Sequence, residues 1–437
     1  MKWLGKGLFF LMDRKGLKKV CGIMLSLLVV ALNYSSPVQR LLQLPDALVL
    51  RAGEETHLSF GLPLRVQVEQ PDAAVISSGD ETLRDVAVTG VELSALSEGQ
   101  AQVRLSLFGG WPFKNVDVRV EESRVLVPGG QAIGVALHTS GVLVVGTSDL
   151  AGGAANPAQE AGLQPGDVIR SLGGQEVESA QHLTQLVNAH GGETVEMVVQ
   201  RTGKEVRMRI APVRDALDGQ YRLGVWVRDS TAGVGTLSFY DPESGAFGAL
   251  GHAITDVDTG ESLTVRDGDI MHADIVDVLK GQRGEPGELK GSFLKEGETF
   301  GSILLNNAFG IYGQSDEALV NPLYPQGLPV GSRYSVHEGK ASILSTVEGD
   351  TVREYEVEIT RCVQQGSPAQ KGMILRVTDP ELLERTGGIV QGMSGSPILQ
   401  DGHIIGAVTH VYVNDPTQGY GMYIEWMLEQ AKQAKAA

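Results

Sequence analysis

Short apolar runs broken by glycine-rich turns extend through most of this 437-residue chain, and that rhythm limits its fold more than any other feature. Runs such as Ala101-Gln102-Val103-Arg104-Leu105-Ser106-Leu107 alternate with period two, which turns successive side chains to opposite faces of a sheet. Glycine (56 residues against 18 prolines) supplies the turns, and the low aromatic content of 5% suits a turn-rich β protein better than a helical bundle. Parallel βαβ units need a helix between successive strands, and beyond Asp218 no such helices are readable before the end of the chain. Antiparallel sheets closing into a pair of barrels are the expectation there. The length exceeds one ordinary core and predicts roughly three domains.

The formal net charge of −17 argues against a nucleic-acid partner, which calls for a basic face. Two cysteines, Cys21 and Cys362, cannot build a disulfide framework or a cysteine zinc site. At the N-terminus Lys2, Lys6, Arg14, Lys15, Lys18 and Lys19 precede an apolar run from Val20 to Leu32, with the polar exit Asn33-Tyr34-Ser35-Ser36-Pro37 and no small-residue cleavage site. Residues 1–37 therefore read as a cytoplasmic basic end and an uncleaved signal-anchor helix, with the rest of the chain exported across the membrane.

Residues 44–123 read as a small β-rich domain without recognisable chemistry, and 127–213 as the next domain. Its strand Gly141-Val142-Leu143-Val144-Val145, the element Ala161-Gly162-Leu163-Gln164-Pro165-Gly166-Asp167-Val168-Ile169 and a helix from Ser179 to Asn188, with Leu183, Leu186 and Val187 at helical spacing, resemble a PDZ domain of bacterial envelope proteases. Such domains bind an extended peptide as an added strand. The resemblance implies that Ile133, Gly134, Val135 and Ala136 form the loop that captures the peptide.

Within 218–437 the turn Gln391-Gly392-Met393-Ser394-Gly395-Ser396-Pro397 frames one hydroxyl with glycines, as a serine nucleophile requires. A serine needs a neighbouring base, and His252 in Gly251-His252-Ala253-Ile254 ends an apolar, glycine-spaced strand. His410 is the rival and reads as a pocket or structural histidine. Asp379, which ends an apolar strand fifteen residues before Ser394, is the candidate acid to orient the base; Asp256 and Asp258 sit in a turn where solvated acids are usual. The amides of Ser394 and of Gly392 or Met393 are the candidate oxyanion donors. No H-E-x-x-H pair is present, and neither a metal nor a cofactor is expected.

These pieces, with Gly388 to Pro397 and Gly406-Ala407-Val408-Thr409-His410-Val411-Tyr412-Val413-Asn414-Asp415-Pro416, resemble the stage IV sporulation protein B (SpoIVB) family of serine peptidases over nearly the whole chain. The resemblance implies His252 as base, Asp379 as its orienting acid, Ser394 as nucleophile and a trypsin-like double β-barrel. It also implies a place of action in the forespore intermembrane space. There such proteins cleave the extracytoplasmic part of a membrane-bound regulator, and their own N-terminal region, so that an intramembrane metalloprotease can process a sigma-factor precursor. The competing expectation is a non-catalytic exported PDZ adaptor with a degenerate protease-like barrel.

Overall fold

The computed structural model describes residues 22–436 apart from 28–29, 31–33, 36–37, 40, 42–43, 70–74, 79–86, 108–109, 151–154, 257, 261, 264 and 294–298. The basic N-terminal residues and six of the thirteen residues of the expected anchor run from Val20 to Leu32 lie outside the described residues. Among those described, no helix is long and apolar enough to cross a membrane. Two compact units separate at Ser123/Arg124.

The first unit is one six-stranded sheet in the order Ala47–Arg51, Trp111–Glu121, Gly99–Leu107, Glu55–Glu69, Val88–Ala95, Ile76–Ser77. Its long strand Glu55–Glu69 changes partner midway. The Glu55–Ser59 half pairs with Val88–Ala95 and the Arg65–Glu69 half with Gly99–Leu107, and Gly61 between them takes the left-handed φ of 70°. That bend turns the alternating Leu58, Phe60, Leu64 and Val66 into one buried face with Leu93, Val103, Leu105 and Val118.

The second unit carries two closed antiparallel barrels. In the first, the strands Ala132–Thr147, Val265–Leu279, Thr299–Asn307, Gly310–Ser315, Ala246–Ala249 and Val225–Tyr240 pair in that order, and the last pairs back onto the first. Ile133, Val135, Leu137, Leu237, Phe247, Ile270, Ile303 and Ile311 fill it. The second closes Gly339–Ser345, Arg353–Cys362, Met373–Val377, Gln418–Tyr423, His403–Val411 and Pro397–Gln400 around Tyr355, Leu375, Ile398, Ile404 and Met422, and the helix Ile424–Ala436 packs on that core through Trp426 and Met427. The expected pair of antiparallel barrels is thus present in the pairings, and closure removes the edges that open sheets must protect.

The domain expected over 127–213 is not strung before the barrels but grows out of the first one. Ala132–Thr147 and Val225–Tyr240 are long strands whose outer halves leave the barrel as a paired ribbon, with Val225 to Arg228 opposite Thr147 to Leu143. Between them lie the helices Pro157–Ala161 and Ala180–His190 and the strands Val168–Leu172, Val195–Arg201 and Lys204–Ile210. The Ala-Gly-Leu-x-Pro-Gly-Asp element earns its specificity here. Gly162 caps the short helix at φ 78°, and the buried Asp167 carboxylate takes Arg201 Nε at 2.6 Å, Arg201 Nη2 at 2.7 Å and the Gln164 amide at 2.9 Å.

Candidate active site

Ser394 and His252 belong to different barrels. The turn Gln391 to Ser396 leads into the strand Pro397–Gln400, whereas His252 follows Ala246–Ala249. Before the histidine the chain passes through two left-handed residues, Leu250 at φ 70° and Gly251 at φ 71°. A non-glycine there is uncommon and marks a constrained turn. Three close approaches join the two loops. A Cβ on Gly395 would overlap the Thr236 carbonyl oxygen and lie 2.6 Å from the Leu250 nitrogen. One on Gly251 would meet Thr409 Cγ2 at 2.9 Å, and the His252 and His410 rings stand 5.5 Å apart between centroids. Gly395, directly after the serine, therefore lets backbone meet backbone.

His252 is half-buried, and its Nδ1 lies 2.8 Å from the Ala253 carbonyl oxygen. A carbonyl can only accept, so in the neutral ring Nδ1 carries the proton and Nε2 is left as the acceptor. Ser394 Oγ donates to the Thr409 carbonyl at 3.0 Å. His410, next along that strand, has a buried Nδ1 without a hydrogen-bond partner among the described residues. Burial, reinforced by His252 and Lys371, lowers its pKa to about 4.

Of the proposed oxyanion donors, Met393 is corrected: its amide is spent on the Val390 carbonyl at 3.1 Å and its side chain is fully buried. The amides of Gly392 and Ser394 donate no hydrogen bond among the described residues. Both therefore remain as donors on the serine turn.

The structure does not bring Asp379 to this cluster. Asp379 is the N-cap of the helix Pro380–Thr386, where one carboxylate oxygen accepts the Leu382 amide at 3.0 Å and the other the Glu356 amide at 3.3 Å. Strand pairing explains the separation. His410 lies opposite Tyr420, which lies opposite Ile374, and Asp379 is five residues further along, roughly 16 Å at strand rise. The other acids near His252 in sequence are engaged as well: Arg228 pairs with Asp256 and, at 2.8 Å, with Asp258, and amides of the turn hold Asp256.

Ile133 to Ala136 also need correction. They lie near the start of the strand Ala132–Thr147 with both edges paired, to Ala232–Gly235 on one side and to Asp269–His272 on the other, so no row of amides is left for a peptide. A cleft lies elsewhere in the same domain. A cavity of about 160 Å³ lies between Leu183 and Val187 of the helix Ala180–His190 and the stretch Leu223-Gly224-Val225, whose strand pairs on its other side with Thr147. Gly224 at φ 73° packs against the Asn156 side chain, which donates to its carbonyl at 2.9 Å. A glycine between apolar residues at the start of a strand was the available signal.

Two closed six-stranded barrels, with a glycine-framed serine on one and a histidine of the required tautomer on the other, define a double-barrel serine peptidase. Residues 219–428 match the family model described as SpoIVB peptidase S55, and residues 151–201 match that of a PDZ domain. Residues 219–428, 210 of the chain's 437 residues, are thus similar to the SpoIVB peptidase S55 family. The chain is also similar to a protein of Treponema pallidum (strain Nichols) named as a candidate zinc metalloprotease, 32% identical over 100 residues, 22% of this chain and 21% of that protein. The match thus spans about a fifth of that relative's length. Among solved structures, the PDZ domain of an SdrC-like protein from Listeria monocytogenes is similar at 23% identity, covering 21% of this chain and 90% of that one, with a TM-score of 0.18. The active form of the Rv3671c protease from M. tuberculosis is similar at 13% identity, covering 47% and 74%, with a TM-score of 0.25. The barrel assignment rests on the strand pairings and not on these scores.

Proposed function

We propose that this protein is an exported signalling endopeptidase of sporulation, in which His252 and Ser394 carry out acyl transfer on the extracytoplasmic part of a membrane-bound regulator and on the protein's own N-terminal region. The regulator's cleavage would release an intramembrane metalloprotease to process a sigma-factor precursor. The observation that carries the reading is the contact of the two loops through Gly395 and Leu250, with the His252 Nδ1 proton fixed by the Ala253 carbonyl.

In this mechanism the Ser394 hydroxyl turns from the Thr409 carbonyl toward His252 Nε2, gives up its proton there and attacks the substrate carbonyl. The amides of Gly392 and Ser394 receive the oxyanion. The imidazolium returns the proton to the leaving amine, and water then releases the acyl group by the same path. The Ala253 carbonyl takes the orienting role first assigned to Asp379, whose carboxylate caps a helix. The groove beside Leu223 to Val225 recruits an extended segment of the protein substrate. The N-terminal basic and apolar segments hold the enzyme at the membrane, in the forespore intermembrane space.

One observation favours the adaptor reading: the Ser394 hydroxyl is bonded to a carbonyl and no carboxylate contacts His252 among the described residues. Fluorophosphonate labelling followed by mass spectrometry separates the two. The peptidase reading expects label on Ser394, loss of label and of self-cleavage in Ser394→Ala, and an unchanged fold. An unlabelled, folded wild type overturns it.

A further inference from the structure

The serine turn is held peptide by peptide, and its middle peptide has one partner that no motif announced. The Gly392 amide shares a peptide plane with the Gln391 carbonyl, which accepts from the Leu289 amide at 2.8 Å; the Ser394 amide shares one with the Met393 carbonyl, which accepts from the Ser396 amide at 3.0 Å. Between them, the peptide joining Gly392 to Met393 donates its N–H to the Val390 carbonyl, and its carbonyl accepts the Thr236 hydroxyl at 2.7 Å. In a trans peptide the N–H and C=O point in opposite directions, so fixing each carbonyl fixes each amide. Gly392 sits at φ 95°, a conformation in which glycine meets little steric resistance to a change of backbone angles. A flip of the middle peptide changes the torsions that aim both outer amides, and the Thr236 hydroxyl bond opposes it.

Thr236 also ties the two loops together. Its amide donates to the Ser394 carbonyl at 3.1 Å, its own carbonyl accepts the Leu250 amide at 3.3 Å two residues before His252, and its side chain is almost completely buried, 1% exposed. A threonine in mid-strand of a barrel wall is ordinarily a β-branched packing residue. Here its hydroxyl faces the carbonyl of the residue that opens the oxyanion turn.

We infer that Thr236 is a positioning residue of the peptidase: its hydroxyl locks the Gly392–Met393 peptide so that the Gly392 and Ser394 amides stay aimed at the oxyanion. The inference rests on the peptidase reading above. Its hydroxyl makes no bond to the reacting atoms, so it acts in the transition state through those amides, and the substrate's ground-state contacts are left alone.

The test compares wild type, Thr236→Val, Thr236→Ser and Ser394→Ala, using a quenched fluorescent peptide that wild type cleaves and the rate of fluorophosphonate labelling. Thr236→Val keeps the backbone bonds and the branched shape and removes the hydroxyl. It should lower kcat and the labelling rate about tenfold or more, short of the ~10²–10³ for deleting an oxyanion donor, with KM within about twofold. Thr236→Ser should recover both to within about threefold of wild type. Should Thr236→Val fail to fold by circular dichroism, Thr236→Ala removes the same hydroxyl without a branched methyl and is read the same way. A folded hydroxyl-less variant with wild-type kcat, or a serine variant as slow as the valine one, overturns the positioning role while Ser394→Ala remains inactive. Wild type that neither labels nor cleaves would instead overturn the peptidase reading itself.

Discussion

Replacing Gly395 by alanine tests whether the approach of the two loops makes the site. At φ 98° the residue lies where L side chains are strained, at about 1–2 kcal/mol. A Cβ there would overlap the Thr236 carbonyl oxygen and stand 2.6 Å from the Leu250 nitrogen and 3.0 Å from its Cα. Those are backbone atoms, which cannot swing aside as a side-chain tip can, so the loops must part by roughly 1 Å at a further cost of about 1–3 kcal/mol. The combined penalty of about 2–5 kcal/mol is below the ~5–15 kcal/mol that holds a domain together, and the variant should fold. Its chemistry should suffer more, because a displacement of that size costs about 10²-fold in rate. The assay is the fluorophosphonate labelling rate beside thermal unfolding. Gly402→Ala is the control: φ there is 75°, but a Cβ would meet nothing within 4 Å, so it carries the strain without the push. Gly402→Ala should lose about 1–2 kcal/mol and label normally. A folded Gly395→Ala that labels within about twofold of wild type would refute the argument that this contact sets the Ser394–His252 geometry.

Three further outcomes follow from the same contacts. Asp379→Ala should lose about 1 kcal/mol in thermal or denaturant unfolding through the lost helix cap, whereas Asp379→Asn, which caps as well, should stay near wild type; equal losses in the two would show that the charge and not the cap is what Asp379 supplies. His410, held from the ordinary value of 6.5 down to about 4, binds its proton more weakly folded than unfolded. Its contribution is whole above pH 6.5 and is lost as pH falls toward 4, on the order of 1 kcal/mol after allowing for solvent at a half-exposed ring, so His410→Gln should flatten the stability profile between pH 4 and 6.5. Arg201→Met leaves the buried Asp167 carboxylate without its cation and should cost about 3–5 kcal/mol, read as earlier unfolding of the PDZ module by hydrogen exchange. Unchanged protection there would remove the pair from the module's stability.

The alternation of apolar and polar residues determined by itself that this chain is built of strands, since period two sorts side chains to two faces wherever the strands later pair, while their direction, parallel between Ala47–Arg51 and Trp111–Glu121, was left to the fold. Local chemistry was equally legible. The Gly-x-Ser-Gly frame singled out Ser394 and the small residues around His252 singled out that histidine, and folding places the two on adjoining loops. The helix Pro380–Thr386 went unread, although Asp379 before Pro380 and Gly387 after Thr386 are its cap signals, because that aspartate also suits an acid for catalysis. What the sequence could not carry was partnership across the chain. Ile133 to Ala136 suit a peptide-capturing loop until two strands more than ninety residues away cover both edges. Thr236 is an ordinary strand residue until folding sets its hydroxyl against Gly392, 156 positions on. Strand periodicity and turn chemistry are short-range effects written within a few residues. Barrel closure, the reach of Asp379 and the lock on the serine turn depend on which strand lies beside which, and only the tertiary structure decides that.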